Sequence, residues 1–583
     1  MKRNLKRNLL VTTALLATAV SALGTMMNPF WNGALAVFSA FSIIGAIDFL
    51  YRYPTINRYL PYLAILLAAG SFAVVGAMDH YWVPLFATFS VLALVGTLDL
   101  FQHRHSLWRN YPLISRVRWM IEAVRPELRQ YLFESDSDGR PFSREERALV
   151  YQRAKGAIDS HPFGTEMDVY SEGYEWIAHS IAPRPKPKGD LRVTIGGERC
   201  TQPYSASVFN ISAMSFGSLS ANAIRALNRG AKAGSFYHDT GEGGVSRYHR
   251  EFGGDLVWEL GSGYFGCRAD DGRFDPEKFR ETAGLEQIRM IEIKLSQGAK
   301  PGHGGVLPGQ KVTEEIAEAR GVPIGEDCIS PSAHSAFDSP IGLMKFVAQL
   351  RELSGGKPVG FKLCIGDPTE FMAIAKAMLE TGITPDFIVV DGAEGGTGAA
   401  PLELSNHVGM PLREGLILVQ NVLVGTGLRE HLHLGAAGKV TSGYGLAANL
   451  ALGADWCNAA RGFMFALGCV QSLSCHTDRC PTGVATQDPK RGRGLVVPDK
   501  ADRVASFHRH TVDALAEIVA AAGLSHPEDL EPEHLWQRVG PNQVCSAADC
   551  YEFLQPGALL GTPPERWQKR WNAARADRFG LTA

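Results

Sequence analysis

A chain of 583 residues exceeds one ordinary domain, so a large folded unit with something smaller attached is expected. Its 58 basic and 60 acidic side chains leave a net charge of −2, and the soluble part holds no basic run, which gives no reason to expect a nucleic acid partner. Ten cysteines, none before Cys200, are scattered singly apart from one triad, a usage that fits a reducing compartment better than a disulfide framework.

Four apolar runs precede residue 104, at about 9–26, 33–50, 62–78 and 83–101, each near the length a helix needs to cross a bilayer core. Residues 31–61 recur at an offset of 51, with Trp31 matching Trp82, Gly45 matching Gly96 and Asp48 matching Asp99, the sign of a duplicated helical hairpin. Lys2, Arg3, Lys6 and Arg7 precede the first run, Arg52 and Arg58 separate the second from the third, and Arg104 and Arg109 follow the fourth. The positive-inside rule then places both termini in the cytoplasm and predicts a multi-pass membrane protein whose catalytic domain is cytoplasmic. A cleaved signal peptide over the first run is the alternative and leaves that domain on the same side. Asp48 and Asp99 read as interfacial charges that pair with nearby arginines, in preference to an ion path.

The composition predicts an all-α transmembrane region over 1–104, a helical connecting subdomain over 105–190, a barrel over 191–530 and a C-terminal extension over 531–583. From about Val193, short apolar strands alternate with helical patterns, the mark of a parallel α/β domain of the size of a (β/α)8 TIM-type barrel. VFNISAM, MIEIKLS, PVGFKLCIG, DFIVVDGAEG, GKVTSGYG and DWCNAARG read as strands, and PIGLMKFVAQLRELSG and DPTEFMAIAKAMLETG as amphipathic helices.

In such barrels chemistry sits at the C-terminal ends of strands. Gly443 and Gly445 follow one late strand, and Arg461 and Gly462 the next, where backbone amides can cradle a phosphate; glycines also make ordinary turns. Lys362 interrupts an otherwise apolar strand. Pointing inward it would stabilise negative charge on a reduced flavin, and the competing reading is an outward or ion-paired lysine. Thr240–Arg247 and Ile293–Gly309 are glycine-rich loops that allow close backbone approach to a ligand. Lys294, Gln297, Lys300 and Arg320 supply three cations and an amide suited to a dicarboxylate, although each alone reads as a solvated surface group.

Cys469, Cys475 and Cys480 are separated by five and four residues, with Pro481 after the third. Thiolates gathered this tightly hold a metal or an iron–sulfur cluster, because a bound cation lowers the thiol pKa. Zinc competes, with only His476 nearby as a fourth ligand and badly placed to chelate. Cys545 and Cys550 form a second pair, read as two unrelated thiols in preference to a metal site.

AMSFGSLS, TGEGG, IEIKLSQGAKPGHGGVLPG, ISPSAH, GGTGAAP and CPTGVATQ together resemble the central and FMN-binding domains of glutamate synthase, from about Ser212 to Gln487, and most of all the short single-subunit FMN-binding members of that family. The resemblance implies a [3Fe-4S] cluster on Cys469, Cys475 and Cys480, and FMN against Met214, Ser215, Gln297 and Lys362, its phosphate near Ser442, Gly443, Gly445, Arg461 and Gly462. It also implies 2-oxoglutarate at Lys294, Gln297, Lys300 and Arg320, and a role for Glu242 in ammonia delivery and catalysis. The reaction implied is addition of ammonia to the 2-oxo acid, loss of water, and hydride transfer to the imine. Implied partners are ammonia or an amidotransferase subunit, and an external electron donor or acceptor such as ferredoxin, a reductase subunit or a carrier in the lipid bilayer. The sequence departs from the full-length enzymes in lacking an N-terminal amidotransferase pattern and a GxGxxG after the barrel, in Glu394 where Asp is usual, and in ISPSAH. Two rival readings are a membrane-linked dehydrogenase running the barrel in reverse on an amino or N-alkyl amino acid, and a non-catalytic membrane redox sensor.

Overall fold

The computed structural model describes residues 58–580 except Glu198. The chain divides into two units between Phe133 and Glu134. In the first, helices Leu60–Met78 and Val83–Phe101 correspond to the third and fourth apolar runs; the first two runs lie outside the described residues. The two helices pack on each other, with the Tyr62 hydroxyl 2.6 Å from Thr97 Oγ1. Both are long and apolar enough to cross a membrane, and only 11% of each apolar stretch is buried, unlike the core helices of a globular domain. Helices Ser106–Asn110 and Ile114–Leu128 follow them in this unit, so the segment expected to connect is shared between both units.

The second unit is built on a closed barrel of eight parallel strands: β1 Phe209–Ile211, β2 His238–Asp239, β3 Leu256–Leu260, β4 Ile288–Lys294, β5 Val359–Leu363, β6 Phe387–Asp391, β7 His433–Ala437 and β8 Trp456–Ala459. The helices after them are α1 Ala221–Ala233, α2 Arg247–Arg250, α3 Pro276–Ala283, α4 Pro340–Leu353, α5 Pro368–Thr381, α6 Leu412–Gly425, α7 Gly443–Ala451 and α8 Arg461–Ala466. Strands β3 and β5 are buried along their whole length, as expected where helices cover a parallel sheet. Helices α3, α4 and α5 each begin with proline behind a capping residue, Asp275, Ser339 and Asp367, whose side chains accept backbone N–H groups of the first turn.

One strand was misplaced by sequence. GKVTSGYG is the β7–α7 loop and the start of α7, and the strand is the preceding HLGAA, whose small residues gave no β-branched signal. The C-terminal extension is not separate: Leu535–Gly540 pairs with Glu175–Ile177 and Gln543–Ser546, and Lys376 of α5 donates to the carbonyls of Trp571 and Ala574. Cys545 and Cys550, expected as unrelated thiols, form a disulfide, because a strand end and the short helix Ala547–Cys550 bring their Cα atoms to 5.9 Å.

A buried ion pair fastens the N-terminal end of the barrel. Asp386, just before β6, accepts from Arg351 Nε at 3.0 Å and Nη2 at 2.9 Å, from the Val359 amide at 2.8 Å and from the Gly197 amide at 2.8 Å. Asp386→Ala leaves the buried guanidinium of Arg351 without its counterion, held only by the Thr384 carbonyl, and takes the acceptor from two amides. It should cost about 3–5 kcal/mol in denaturant unfolding of the barrel unit; an unchanged midpoint would remove this pair from the account of stability.

Candidate active site at the barrel mouth

The floor of the site is made by inward side chains of the barrel. Glu259 of β3 and Glu292 of β4 are register partners, and Lys362 of β5 reaches both: its ammonium contacts Glu259 Oε2 directly and lies 3.2 Å from Glu292 Oε1. Asp239 of β2 places a carboxylate oxygen within 4.8 Å of theirs. Asp391, at the end of β6, accepts the Gly298 amide at 2.8 Å. Carboxylates this close have the spacing of a cation site, and the cation is the Lys362 ammonium. Burial and their mutual repulsion push Asp239 and Glu292 up, towards the protonated form. The Lys362 pKa is raised as well, which for a lysine keeps the charge: burial works against it, yet Glu259, Glu292 and Asp239 hold its pKa well above the usual lysine range. Lys362 thus points inward, as the flavin reading requires, and is ion-paired, as the competing reading has it.

Above the floor stands a cationic wall. Lys294, two residues beyond Glu292 on the same strand face, lies 3.1 Å from Glu242 Oε2 and donates to Gln297 Oε1 at 3.0 Å. Burial alone would raise the Glu242 carboxyl, but Lys294, Lys300 and Arg320 hold it down to about 2. Arg320 is buried, donates to the Phe216 carbonyl at 3.2 Å, and its guanidinium carbon lies 5.2 Å from the centre of the Phe265 ring; its Nε has no hydrogen-bond partner and it makes no ion pair among the described residues. Among the described residues these three cations make one ion pair, that of Lys294 with Glu242; Lys300 and Arg320 make none and donate to the backbone carbonyls of Gly304 and Phe216. The loops come close because they carry glycine: Gly241 has φ +65°, and a Cβ there would lie 2.6 Å from the Ser215 amide nitrogen, while one on Gly305 would lie 2.4 Å from Glu242 Oε1.

Met214, Ser215, Glu242, Lys294, Gln297, Lys362, Arg461 and Gly462 line one pocket, and Lys300 and Arg320 line an adjoining one that shares Ser215, Glu242 and Cys475 with it. Ser442, Gly443 and Gly445 do not line it. The Ser442 hydroxyl caps α7 by accepting the Gly445 amide at 3.1 Å, and a Cβ on Gly443 would strike the backbone of Ala514 and Leu515, so that glycine serves helix packing. The far end is formed by Gly438–Val440 after β7 and Ala460–Gly462 after β8, with Gly395–Gly398 after β6. Glu259, Glu292, Asp239 and Asp391 were not anticipated, although Glu259 and Glu292 carry the same signal as Lys362, a charge inside an apolar strand. Glu394 accepts the Leu412 amide at 2.9 Å and caps α6. His334 of ISPSAH lies with Nε2 2.9 Å from the Lys294 carbonyl, and burial lowers its pKa to about 4, so the ring is neutral.

The cysteine triad abuts this pocket. Cys469 follows α8, Cys475 opens a short 3-10 turn and lines both cavities, and Cys480 begins the next turn. Burial raises the Cys469 thiol; burial also opposes ionisation of Cys480, but backbone N–H groups of Ala485, Thr482 and Val484 bring it below the usual range. Arg461 Nη1 lies 3.9 Å from Cys475 Sγ, and buried Lys311 donates to the Cys475 carbonyl at 2.9 Å. Three non-glycine residues of this loop, Gln471, Leu473 and Asp478, have φ of +53°, +55° and +61°. Each such residue costs roughly 1 kcal/mol or more, strain that collects at ligand-holding loops. The three sulfurs do not all lie within 4.8 Å of one another, a wider set than one tetrahedral zinc ion requires.

Fold and site together define a (β/α)8 barrel with a charged, cofactor-type pocket at its C-terminal mouth. Residues 190–525 match the conserved region in glutamate synthase. The chain is 37% identical over 478 residues to the glutamate synthase large subunit-like protein YerD of Bacillus subtilis, covering 75% of this chain and 90% of that one. It is 36% identical over 319 residues to the archaeal-type glutamate synthase [NADPH] of Thermotoga neapolitana, covering 54% of this chain and 60% of that one. Among solved structures, a mutant flavocytochrome b2 with pyruvate bound aligns at 14% identity and a TM-score of 0.38, over 67% of this chain and 82% of that one. The chain therefore belongs to the glutamate synthase family and is an oxidoreductase.

Because the surrounding cations hold Glu242 at about 2, it stays ionised wherever the fold survives. Its ion-pair contribution is present above the ordinary carboxyl range near pH 4 and is lost only as pH falls towards that depressed value. Glu242→Gln frees one more positive charge. Calorimetric titration with succinate should show binding tightened by about tenfold, nearly constant from about pH 5 to about pH 8; weaker binding in the variant would contradict this electrostatic reading.

Proposed function

We propose that this chain is an FMN- and iron–sulfur-dependent oxidoreductase that converts 2-oxoglutarate and ammonia into L-glutamate. The observation that carries the reading is that, of the cations Lys294, Lys300 and Arg320, only Lys294 makes an ion pair among the described residues, beside a pocket floored by Lys362. A dicarboxylate supplies the matching charge, and the Arg320 guanidinium offers it a fork of donors. The pocket residues also fit FMN: the loops after β7 and β8 are where phosphate binds in this fold, with the Arg461 guanidinium beside them, and the Lys362 ammonium suits the electron-rich edge of a reduced ring. The wide thiol triad, its strained loop and the N–H groups facing Cys480 fit a [3Fe-4S] cluster. When bound, these groups supply a hydride for the imine carbon and a path for single electrons.

The chain's own residues orient and hold charge. Lys294, Lys300, Arg320 and Gln297 fix the substrate carboxylates, and Glu242, ionised and paired with Lys294, stands where it can hold ammonium at the 2-oxo carbon. Lys362, locked by Glu259 and Glu292, keeps a positive charge at the pocket floor, where it would stabilise negative charge on a bound flavin. Ammonia arrives free or from an amidotransferase subunit, and electrons from an external carrier such as ferredoxin, a reductase subunit or a membrane carrier. The poorly buried apolar helices 60–78 and 83–101 support anchorage in a lipid bilayer, with the barrel on the cytoplasmic side.

The full chain, purified in detergent and reduced, should carry FMN and a three-iron paramagnetic signal on partial oxidation. Mixed with 2-oxoglutarate and ammonium, its flavin should reoxidise with one glutamate formed per flavin. Absence of flavin and cluster would sink the proposal, and flavin that ignores this pair but is reduced by an amino acid would assign the reverse, dehydrogenase direction.

A further inference from the structure

The helix Ile114–Leu128 and the π turn Arg129–Phe133 that continues it belong to the amino-terminal unit and present a second apolar surface there. Ile114, Val117, Ile121, Val124 and Leu128 recur at three- and four-residue steps and so share one face, which Met120 widens; these six are between 38% and 63% exposed. A face of this kind on a core helix would be covered. Arg118 and Arg125 border it and Arg129 follows. Arg118 reaches Glu122 at 3.6 Å, whereas Arg125 and Arg129 make no ion pair among the described residues.

The other side of the helix is clamped. Asp99, wholly buried near the end of helix Val83–Phe101, accepts from Arg116 Nε at 3.0 Å and Nη2 at 2.7 Å and from the Leu113 amide at 3.1 Å. The Arg116 guanidinium carbon also lies 4.4 Å from the centre of the Trp108 ring. The clamp holds the start of the amphipathic helix at the end of a long apolar one, where a membrane-crossing segment meets the headgroups.

We infer that residues 114–133 lie in the plane of the bilayer interface, with the apolar face among acyl chains and Arg118, Arg125 and Arg129 on anionic phospholipid headgroups. The inference rests on the reading of 60–101 as a membrane anchor. What selects a lipid leaflet as the occupant is the pairing of a continuous apolar face with an arginine flank, contiguous with two apolar helices. The arginines then snorkel to the phosphates while their stems extend the apolar surface.

The test uses the full chain in lipid nanodiscs of phosphatidylcholine, with or without phosphatidylglycerol, carrying photoreactive benzoylphenylalanine at Val124 or at Ala123, which lies off the apolar face. Lipid adducts are expected from position 124 in the anionic discs and few from 123. Their yield should fall roughly fivefold or more without phosphatidylglycerol, or with Arg118→Gln, Arg125→Gln and Arg129→Gln combined. A chain that does not stay with lipid once detergent is removed would overturn the anchor and this inference together. A chain that stays, but crosslinks from 124 to its own barrel unit or to a second copy, would overturn this inference alone.

Discussion

One buried ammonium organises the barrel interior. Asp239, Glu259 and Glu292, on β2, β3 and β4, converge within the barrel, and Lys362 on β5 brings a compensating charge to them and to Asp391 at the end of β6. Without it, three of those carboxyls would face each other in a dry interior, which buried charges tolerate only by taking up protons. With it, Glu259 gains a direct cationic contact, burial and mutual repulsion push Glu292 and Asp239 towards the protonated form against the lysine's pull, and the lysine keeps its charge under the pocket. Such a pair contributes little net stability. What it secures is a fixed positive potential at the floor, locked from two neighbouring strands.

The layer above depends on that floor. Lys294 follows Glu292 by two residues on one strand and is the register partner of Lys362, while Glu292 pairs with Gly360 and reaches Lys362 through its side chain. Lys294 then captures Glu242 from the opposite loop, which draws the glycine-rich segments 240–247 and 293–309 together over the mouth. The cysteine loop closes the same cavity from the far side through Cys475, with Arg461 touching both the pocket and that thiol. A group of cations, a glycine-lined rim and the cysteine loop thus meet at one mouth.

Much of this was legible from residue types. The barrel followed from alternating strand and helix patterns, and Lys362 stood out because a charge inside an apolar parallel strand has to be compensated. The acids that compensate it were missed, although Glu259 in LVWEL and Glu292 in MIEIK carry the same signal, because which charges meet across a barrel depends on register and not on spacing. Ser442 and Gly443 illustrate the converse: a serine–glycine pair at a helix start suits a phosphate, a cap or close packing equally well in sequence, and the cap and the packing against Leu515 were visible only in three dimensions. The disulfide between Cys545 and Cys550 was likewise decided by a strand running straight into a short helix, which no local pattern announced.

The midpoint potential of bound flavin, compared between the natural chain and Lys362→Met, bears most directly on the role given to this charge. Loss of the ammonium leaves reduced, negatively charged flavin without its partner, so the potential should fall by more than about 30 mV, the two-electron equivalent of about 1.4 kcal/mol. A potential unchanged in the variant would contradict the account, because the central cation would then serve only the acids around it.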